Sequence, residues 1–203
     1  FRSDDSVDGG TGNDIISVGA GDDTVVGGEG NDTLYATSVN ADDDIDGGAG
    51  TDSLKASAIA KTAVYPALSN FVTAELDEEL VLTDIETVYL AVQPASANSG
   101  ASSAEILDLS SSSGLKTLYL DMADGDNDPS AASDSYLTVK NFDGSKIFLS
   151  ELDSDPDSVA SLTLDGTGQS SLTAQLRDIG QESTSAVVVT GVDALTIAAT
   201  TSS

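Results

Sequence analysis

The 203-residue chain has no cysteine, no histidine and no tryptophan, and it sets only 7 Lys and Arg against 35 Asp and Glu. Each absence closes a class of chemistry. Without Cys or His there is no zinc site, no haem or iron–sulfur ligation, no disulfide framework, no thiol nucleophile and no Ser-His-Asp triad. A formal charge of −28 repels phosphates and so argues against nucleic acid as a partner. Cations are the partners it favours. No apolar run approaches the ~20 residues of a membrane helix, and no signal-peptide pattern is present. The chain opens on Phe1 rather than Met, so we expect it to be processed, excised or part of a longer polypeptide. The lack of Cys fits an exported bacterial protein that needs no oxidative folding. Aromatic residues make up only 4%, which with this charge points toward disorder. The 39% hydrophobic content and mean hydropathy of −0.03 oppose that, being apolar enough for an interior.

What the chain does have is glycine and aspartate in register. Residues 1–55 hold 11 of the 19 glycines, and a nine-residue period runs through them. GGTGNDIIS at 9–17 is followed by VGAGDDTVV at 18–26 and GGEGNDTLY at 27–35. After Ala36 and Thr37 come a degenerate copy, SVNADDDID at 38–46, and a clean one, GGAGTDSLK at 47–55, while SDDSVD at 3–8 is the tail of an earlier copy. The sixth positions are Asp5, Asp14, Asp23, Asp32, Asp43 and Asp52, and the eighth are Val7, Ile16, Val25, Leu34, Ile45 and Leu54. Glycine permits positive φ, so a short loop can turn tightly and aim several carbonyl oxygens at one point. The Asp adds a carboxylate, and a hard cation such as Ca²⁺ takes six to eight oxygens at roughly 2.3–2.6 Å. Ordinary Gly-Asp turns between short strands are the alternative, but independent hairpins would not hold a nine-residue register.

This array resembles the RTX, or haemolysin-type, calcium-binding nonapeptide repeat G-G-x-G-x-D-x-U-x. The resemblance implies a parallel β-roll in which two nonapeptides make one coil and calcium lies between stacked loops. In the family the lower loop gives carbonyls at positions two and four plus its Asp, and the upper loop gives positions one and three plus its Asp. Carried over, one ion lies among Gly10, Gly12, Asp14 and Gly27, Glu29, Asp32. A second uses Gly19, Gly21, Asp23 with Ser38, Asn40, Asp43. A third uses Gly28, Gly30, Asp32 with Gly47, Ala49, Asp52. A partial site joins Ser3 and Asp5 to Val18, Ala20 and Asp23. The stacked carboxylates repel without ions, so the family reading implies a segment that folds on binding calcium. A site of ~0.1 mM affinity, typical of extracellular modules, is stabilised by roughly 2.7 kcal/mol in ~10 mM calcium.

Beyond residue 55 the nonapeptides stop. Short alternating segments recur: IETVYL at 85–90, AEILDL at 104–109, LKTLYL at 115–120, VASLTL at 159–164 and VDALTI at 192–197, with YLTV, KIFL, SLTAQL and AVVV between them. These predict strands separated by Ser, Gly, Asp and Asn turns. Helical spacing is scarce, best over 70–80 and weaker over 172–179. A parallel β-helix and an antiparallel sandwich both suit such a string, and recurrence of one signature directly after a β-roll favours stacked strands. The expected fold is all-β: a calcium-loaded roll over 1–57 continuing over 58–203 into a right-handed parallel β-helix-like solenoid. Two acidic runs, Asp124, Asp126, Asp128 and Asp153, Asp155, Asp157, have the D-x-D-x-D spacing of half an EF-hand. Neither continues as one, because the sixth position is Pro129 or Ser158 and the twelfth Ser135 or Leu164. They read as solvated loops or as further calcium sites.

No nucleophile elbow, P-loop or dinucleotide fingerprint occurs, and Arg177 with a few lysines is a poor basis for lyase chemistry. We expect no enzyme. Pairing of nonapeptides with segments such as IETVYL resembles RTX-type bacterial surface-layer proteins. That resemblance implies a secreted protein that self-assembles with further copies on the cell surface, with surface polysaccharide as a second partner and no insertion into membrane. An RTX adhesin stalk, or the export module of an RTX toxin or hydrolase, are the alternatives.

Overall fold

A computed structural model describes residues 3–37, 39, 42–59, 80–93, 105–122, 135–151, 160–177 and 186–200. Within them the chain forms strands and turns and no helix. The strands are β1 Ser6–Asp8, β2 Ile15–Val18, β3 Thr24–Glu29, β4 Thr33–Ala36, β5 Asp44–Ala49, β6 Ser53–Ile59, β7 Leu82–Thr83 and β8 Thr87–Gln93. They continue as β9 Glu105–Asp108, β10 Thr117–Met122, β11 Ser135–Lys140, β12 Lys146–Glu151, β13 Ala160–Gln169, β14 Leu172–Arg177, β15 Ala186–Val192 and β16 Leu195–Thr200. All even-numbered strands join one eight-stranded parallel sheet in chain order. The odd strands form two four-stranded parallel sheets, β1-β3-β5-β7 and β9-β11-β13-β15. Each coil therefore contributes one strand to each side, the arrangement of a two-sided parallel solenoid. The antiparallel sandwich is excluded, since every named pairing is parallel.

Alternation explains the stack. In β2 and β4 the burial pattern is exposed, buried, exposed, buried or close to it, so every second side chain turns inward. Ile16, Leu34, Leu54, Val88, Leu118, Ile147 and Ala174 form one inner column in strict register, all buried. Val25, Ile45 and Leu82 face them from the first odd sheet, and Leu107, Leu137, Val139 and Leu164 from the second. The recurring apolar-x-x-apolar-x-apolar signature does not mark one sheet. IETVYL and LKTLYL enter the eight-stranded sheet, whereas AEILDL and VASLTL enter the opposite one.

Coil length tracks the repeat. Asp14 and Asp32 stack 18 residues apart, two nonapeptides, while Asp32 and Asp52 stack 20 apart because Ala36 and Thr37 intervene. Ala36 ends β4, paired with Val18, and Thr37 enters the turn, where Val39 is buried; strand register is unaffected. Later coils lengthen, with 34 residues between Asp52 and Glu86 and 30 between Glu86 and Lys116.

Two expectations need comment. The weaker helical candidate, 172–179, is wrong over its first six residues: Leu172–Arg177 is β14. Its Leu172 and Ala174 both turn inward and are buried, so pairing on both edges overrides local spacing. The candidate over 70–80 lies outside the described residues except for Leu80. No helix among the described residues is long and apolar enough to cross a membrane. For the core, Leu118→Ala at a fully buried position should cost about 2–5 kcal/mol. Thr87→Ala, one position before the core residue Val88, should cost far less, and chemical denaturation of the two variants checks the contrast.

Candidate calcium ladder

The repeat turns occupy two edges of the solenoid. On one edge stack the loops ending in Asp14, Asp32 and Asp52, and on the other those ending in Asp5, Asp23 and Asp43. Glycine is required where successive turns touch. Gly28 and Gly30 adopt φ of 109° and 135°, and a Cβ on either would collide with the carbonyl oxygen of Gly10 or Gly12 in the coil before. Gly48 and Gly50 stand in the same relation to Gly28 and Gly30, so the carbonyls of positions two and four form continuous columns. Gly21 likewise packs against the Ser3 carbonyl.

The sixth-position aspartates join these turns by a directional ladder. The Asp14 amide donates to Asp32 Oδ1 at 2.8 Å, and the Asp32 amide to Asp52 Oδ1 at 2.7 Å. On the opposite edge the Asp5 amide donates to Asp23 Oδ1 at 2.9 Å and the Asp23 amide to Asp43 Oδ1 at 2.8 Å. The structure thus brings together the acids predicted for each site. Asn40 and Ser38, expected as carbonyl donors, lie outside the described residues, as do Asp124, Asp126, Asp128, Asp153, Asp155 and Asp157.

A second ladder, which the sequence reading missed, runs the other way through the fifth positions. The Asn31 amide donates to Asn13 Oδ1 and the Thr51 amide to Asn31 Oδ1, both at 2.9 Å, and the Asp22 amide donates to Asp4 Oδ1 at 3.1 Å. The signal lies in N, D, N, D, T at position five, an x in the repeat pattern. Backbone amides tie position four to position three of the next coil: Gly12 donates to the Glu29 carbonyl at 2.7 Å and Gly30 to the Ala49 carbonyl at 2.8 Å. The Glu29 amide returns to the Gly10 carbonyl at 2.7 Å. Each carbonyl keeps a second lone pair.

One oxygen of each aspartate on the first edge is left over. Asp14, Asp32 and Asp52 each bury an Oδ2 with no hydrogen-bond partner, and Asp32 and Asp52 are only 1% exposed. These atoms lie against Gly9, Gly27 and Gly47, whose absent side chains leave the room. Burying an anionic oxygen without a donor is costly, and a hard cation bound by these carboxylates and the neighbouring carbonyls removes the cost. Among the described residues no three acidic side chains converge on one point, so such a site takes two carboxylates and otherwise backbone oxygen. That is a donor set calcium accepts.

A protein-family comparison matches residues 2–34 and 40–58 to the RTX calcium-binding nonapeptide repeat, in four copies. The chain carries RTX repeats. The match spans roughly a quarter of the chain. No curated protein and no solved structure matches it. RTX repeats bind several calcium ions, and the orphaned oxygens of Asp14, Asp32 and Asp52 fit that ion. RTX-repeat proteins are typically secreted, and the repeats here make this a calcium-binding protein.

Crowded carboxylates also set a pH response. Desolvation pushes the Asp52 carboxyl above the ordinary range, reinforced by the charges of Asp32, Glu86 and Asp46, while the hydrogen bond that joins it to the Asp32 backbone pulls the other way. Desolvation, with Asp4, Asp42 and Asp23 nearby, does the same to Asp22. A carboxyl whose folded pKa is raised stabilises the fold when protonated, so in chelator the RTX turns gain stability as pH falls from neutral into the carboxylate range. With calcium the sign reverses, because protons displace the ion. Circular dichroism melts at descending pH, with EGTA and with calcium, should diverge in this way. Gly30→Ala should shift the calcium midpoint upward several-fold, since its Cβ collides with the stacked Gly12 carbonyl.

Proposed function

We propose that this RTX-repeat protein is a structural subunit that assembles with copies of itself on the bacterial cell surface, as a layer, sheath or filament. The observation that carries this reading is a pair of neighbouring acid-free columns on one face. Outward from the eight-stranded sheet run two columns in register. One is Ile15, Thr33, Ser53, Thr87, Thr117, Lys146, Thr173 and Thr196. Its neighbour is Ser17, Tyr35, Lys55, Tyr89, Tyr119, Phe148, Gln175 and Ala198. In a chain with 35 acids neither column holds one.

The second column is ordered by its own contacts. Tyr89 stacks on Tyr119 at 4.4 Å and Tyr119 on Phe148 at 4.3 Å between ring centroids, nearly coplanar at 9° and 8°. Lys55 Nζ lies over the Tyr35 and Tyr89 rings at 5.2 and 5.5 Å. The rings spend their faces on one another, so a sugar ring finds only their edges, and the platform suits a flat protein surface better than polysaccharide. Ile15 is 80% exposed, and Tyr35 and Tyr89 are each 39% exposed on this face. The opposite sheets carry Asp8, Asp44 and Asp108 outward. A neutral-to-basic face meeting an acidic face on the next copy is a heterologous contact. Contacts of that kind propagate into open arrays rather than closing into dimers.

The calcium ladder supplies stiffness in this reading, and no catalytic role is assigned. Electron microscopy of the purified protein should show ordered assemblies in calcium that disperse in EGTA. Paired substitutions Lys55→Glu and Lys146→Glu should abolish them without altering the number of ions bound. Rods that stay monomeric in calcium would instead indicate an adhesin stalk.

A further inference from the structure

The acid ladder does not stop where the nonapeptides stop. Ile45 pairs with Leu82 and Asp46 with Thr83, which stacks Asp84 on Gly47. A Cβ on Gly47 would collide with the Asp84 carbonyl oxygen and lie 3.1 Å from Asp52 Oδ2. Gly9 is placed in the same way against the Gly27 carbonyl and Asp14 Oδ2, and Gly27 against the Gly47 carbonyl and Asp32 Oδ2. Past the turn, Ser53 pairs with Thr87, which puts Glu86 in the aspartate column. The Asp52 amide donates to Glu86 Oε2 at 2.7 Å, as the Asp32 amide donates to Asp52 Oδ1 at 2.7 Å. Asp52 is 1% exposed and its Oδ2 has no partner.

We propose that a further calcium site lies one rung beyond the repeats, between the Asp52 turn and the non-repeat turn at 84–86. Asp52 and Glu86 supply its carboxylates, Asp84 its upper carbonyl, and Gly48 and Gly50 their lower carbonyls as in the coils before. The turn from Asp84 to Glu86 is three residues shorter than that from Gly47 to Asp52, and it tucks Ile85 fully inside. The extra methylene of Glu spans what the shorter loop does not. Asp84 takes φ of 49°, a left-handed residue that starts the shortened turn where the first-position glycines of the repeats are not left-handed.

The rung after this one is neutralised differently. Lys116 Nζ lies 3.4 Å from Glu86 Oε1, and Lys116 precedes Thr117 as Glu86 precedes Thr87 in the paired strands. The next residues in the column are Ser145 and Leu172, neither of them charged. Lys116 is therefore the end stop of the ladder, a tethered ammonium in the place of another ion.

Ion counting by native mass spectrometry tests this. Glu86→Gln should bind one calcium fewer than the wild type, and an unchanged count overturns the site. If Glu86→Gln fails to fold, anomalous diffraction from wild-type crystals grown in calcium decides the matter. A peak between Asp52 and Glu86 is expected. Peaks confined to the turns ending at Asp14, Asp32 and Asp52 overturn the proposal while leaving the repeat sites standing. No peaks at all would instead strike at the repeat sites themselves.

Discussion

Everything in the first half of this molecule depends on one hydrogen bond, from the backbone amide of a sixth-position aspartate to the carboxylate one coil on. It fixes the vertical register of the turns, because only identical positions 18 or 20 residues apart meet. It also creates the electrostatic problem that calcium solves. A parallel stack places each residue on its own equivalent, and like charges so placed repel. Asp32 and Asp52 each spend one oxygen on the amide of the coil before, and the other is left buried and unpaired, as is one oxygen of Asp14. Folding and ion binding are then a single event, since the site exists only when the coils stack and the coils stack comfortably only when the site is filled.

The second half keeps the same two-sided coil without that device. Following one column shows the exchange: Asp14, Asp32, Asp52, Glu86, Lys116, Ser145, Leu172. The charge falls away rung by rung, and the corner beside it becomes apolar with Ile85, Leu115 and Phe142 all buried. A hydrophobic corner needs no ion and no glycine-lined loop, so strict period is no longer required and coils of 34 and 30 residues are tolerated. Continuity of the eight-stranded sheet across this change, through β6 and β8, lets the ion-dependent part lend its register to the ion-independent part. Asp108 shows what replaces the metal. Burial raises its carboxyl, but hydrogen bonds from Asn141 and Ser110 outweigh that and hold it below the ordinary range.

Periodicity made the first half legible because a solenoid writes its contact map into its sequence. Asp14, Asp32 and Asp52 could be placed in one column from the nine-residue spacing together with the two-nonapeptide coil that the RTX resemblance implies, and the Ala36–Thr37 insertion could be located though not its harmlessness. Glu86 was harder to see. Its segment, E-T-V at 86–88, repeats the D-T-L of 32–34 and the D-S-L of 52–54, but the longer coil removed the period that would have aligned them. The side of the sheet on which each later strand falls was not legible either. AEILDL and LKTLYL share a pattern yet face each other across the core, because alternation encodes inside and outside but not which of two walls.

The same limit explains why the outer face escaped notice. Tyr35, Lys55, Tyr89, Tyr119 and Phe148 are scattered over 114 residues of chain and become neighbours only through register. Once aligned, they reveal a choice in where charge is kept. A net charge of −28 spread evenly would keep every surface apart from its copies in low salt. Instead acids line the turns and the odd sheets, while two outward columns of the even sheet hold none and carry exposed apolar and cationic groups. Calcium in the turns removes two charges per ion without touching that face. The ladder therefore lowers the long-range repulsion that opposes association, and the face determines where association occurs. Solenoid stiffness and surface segregation are two results of one register.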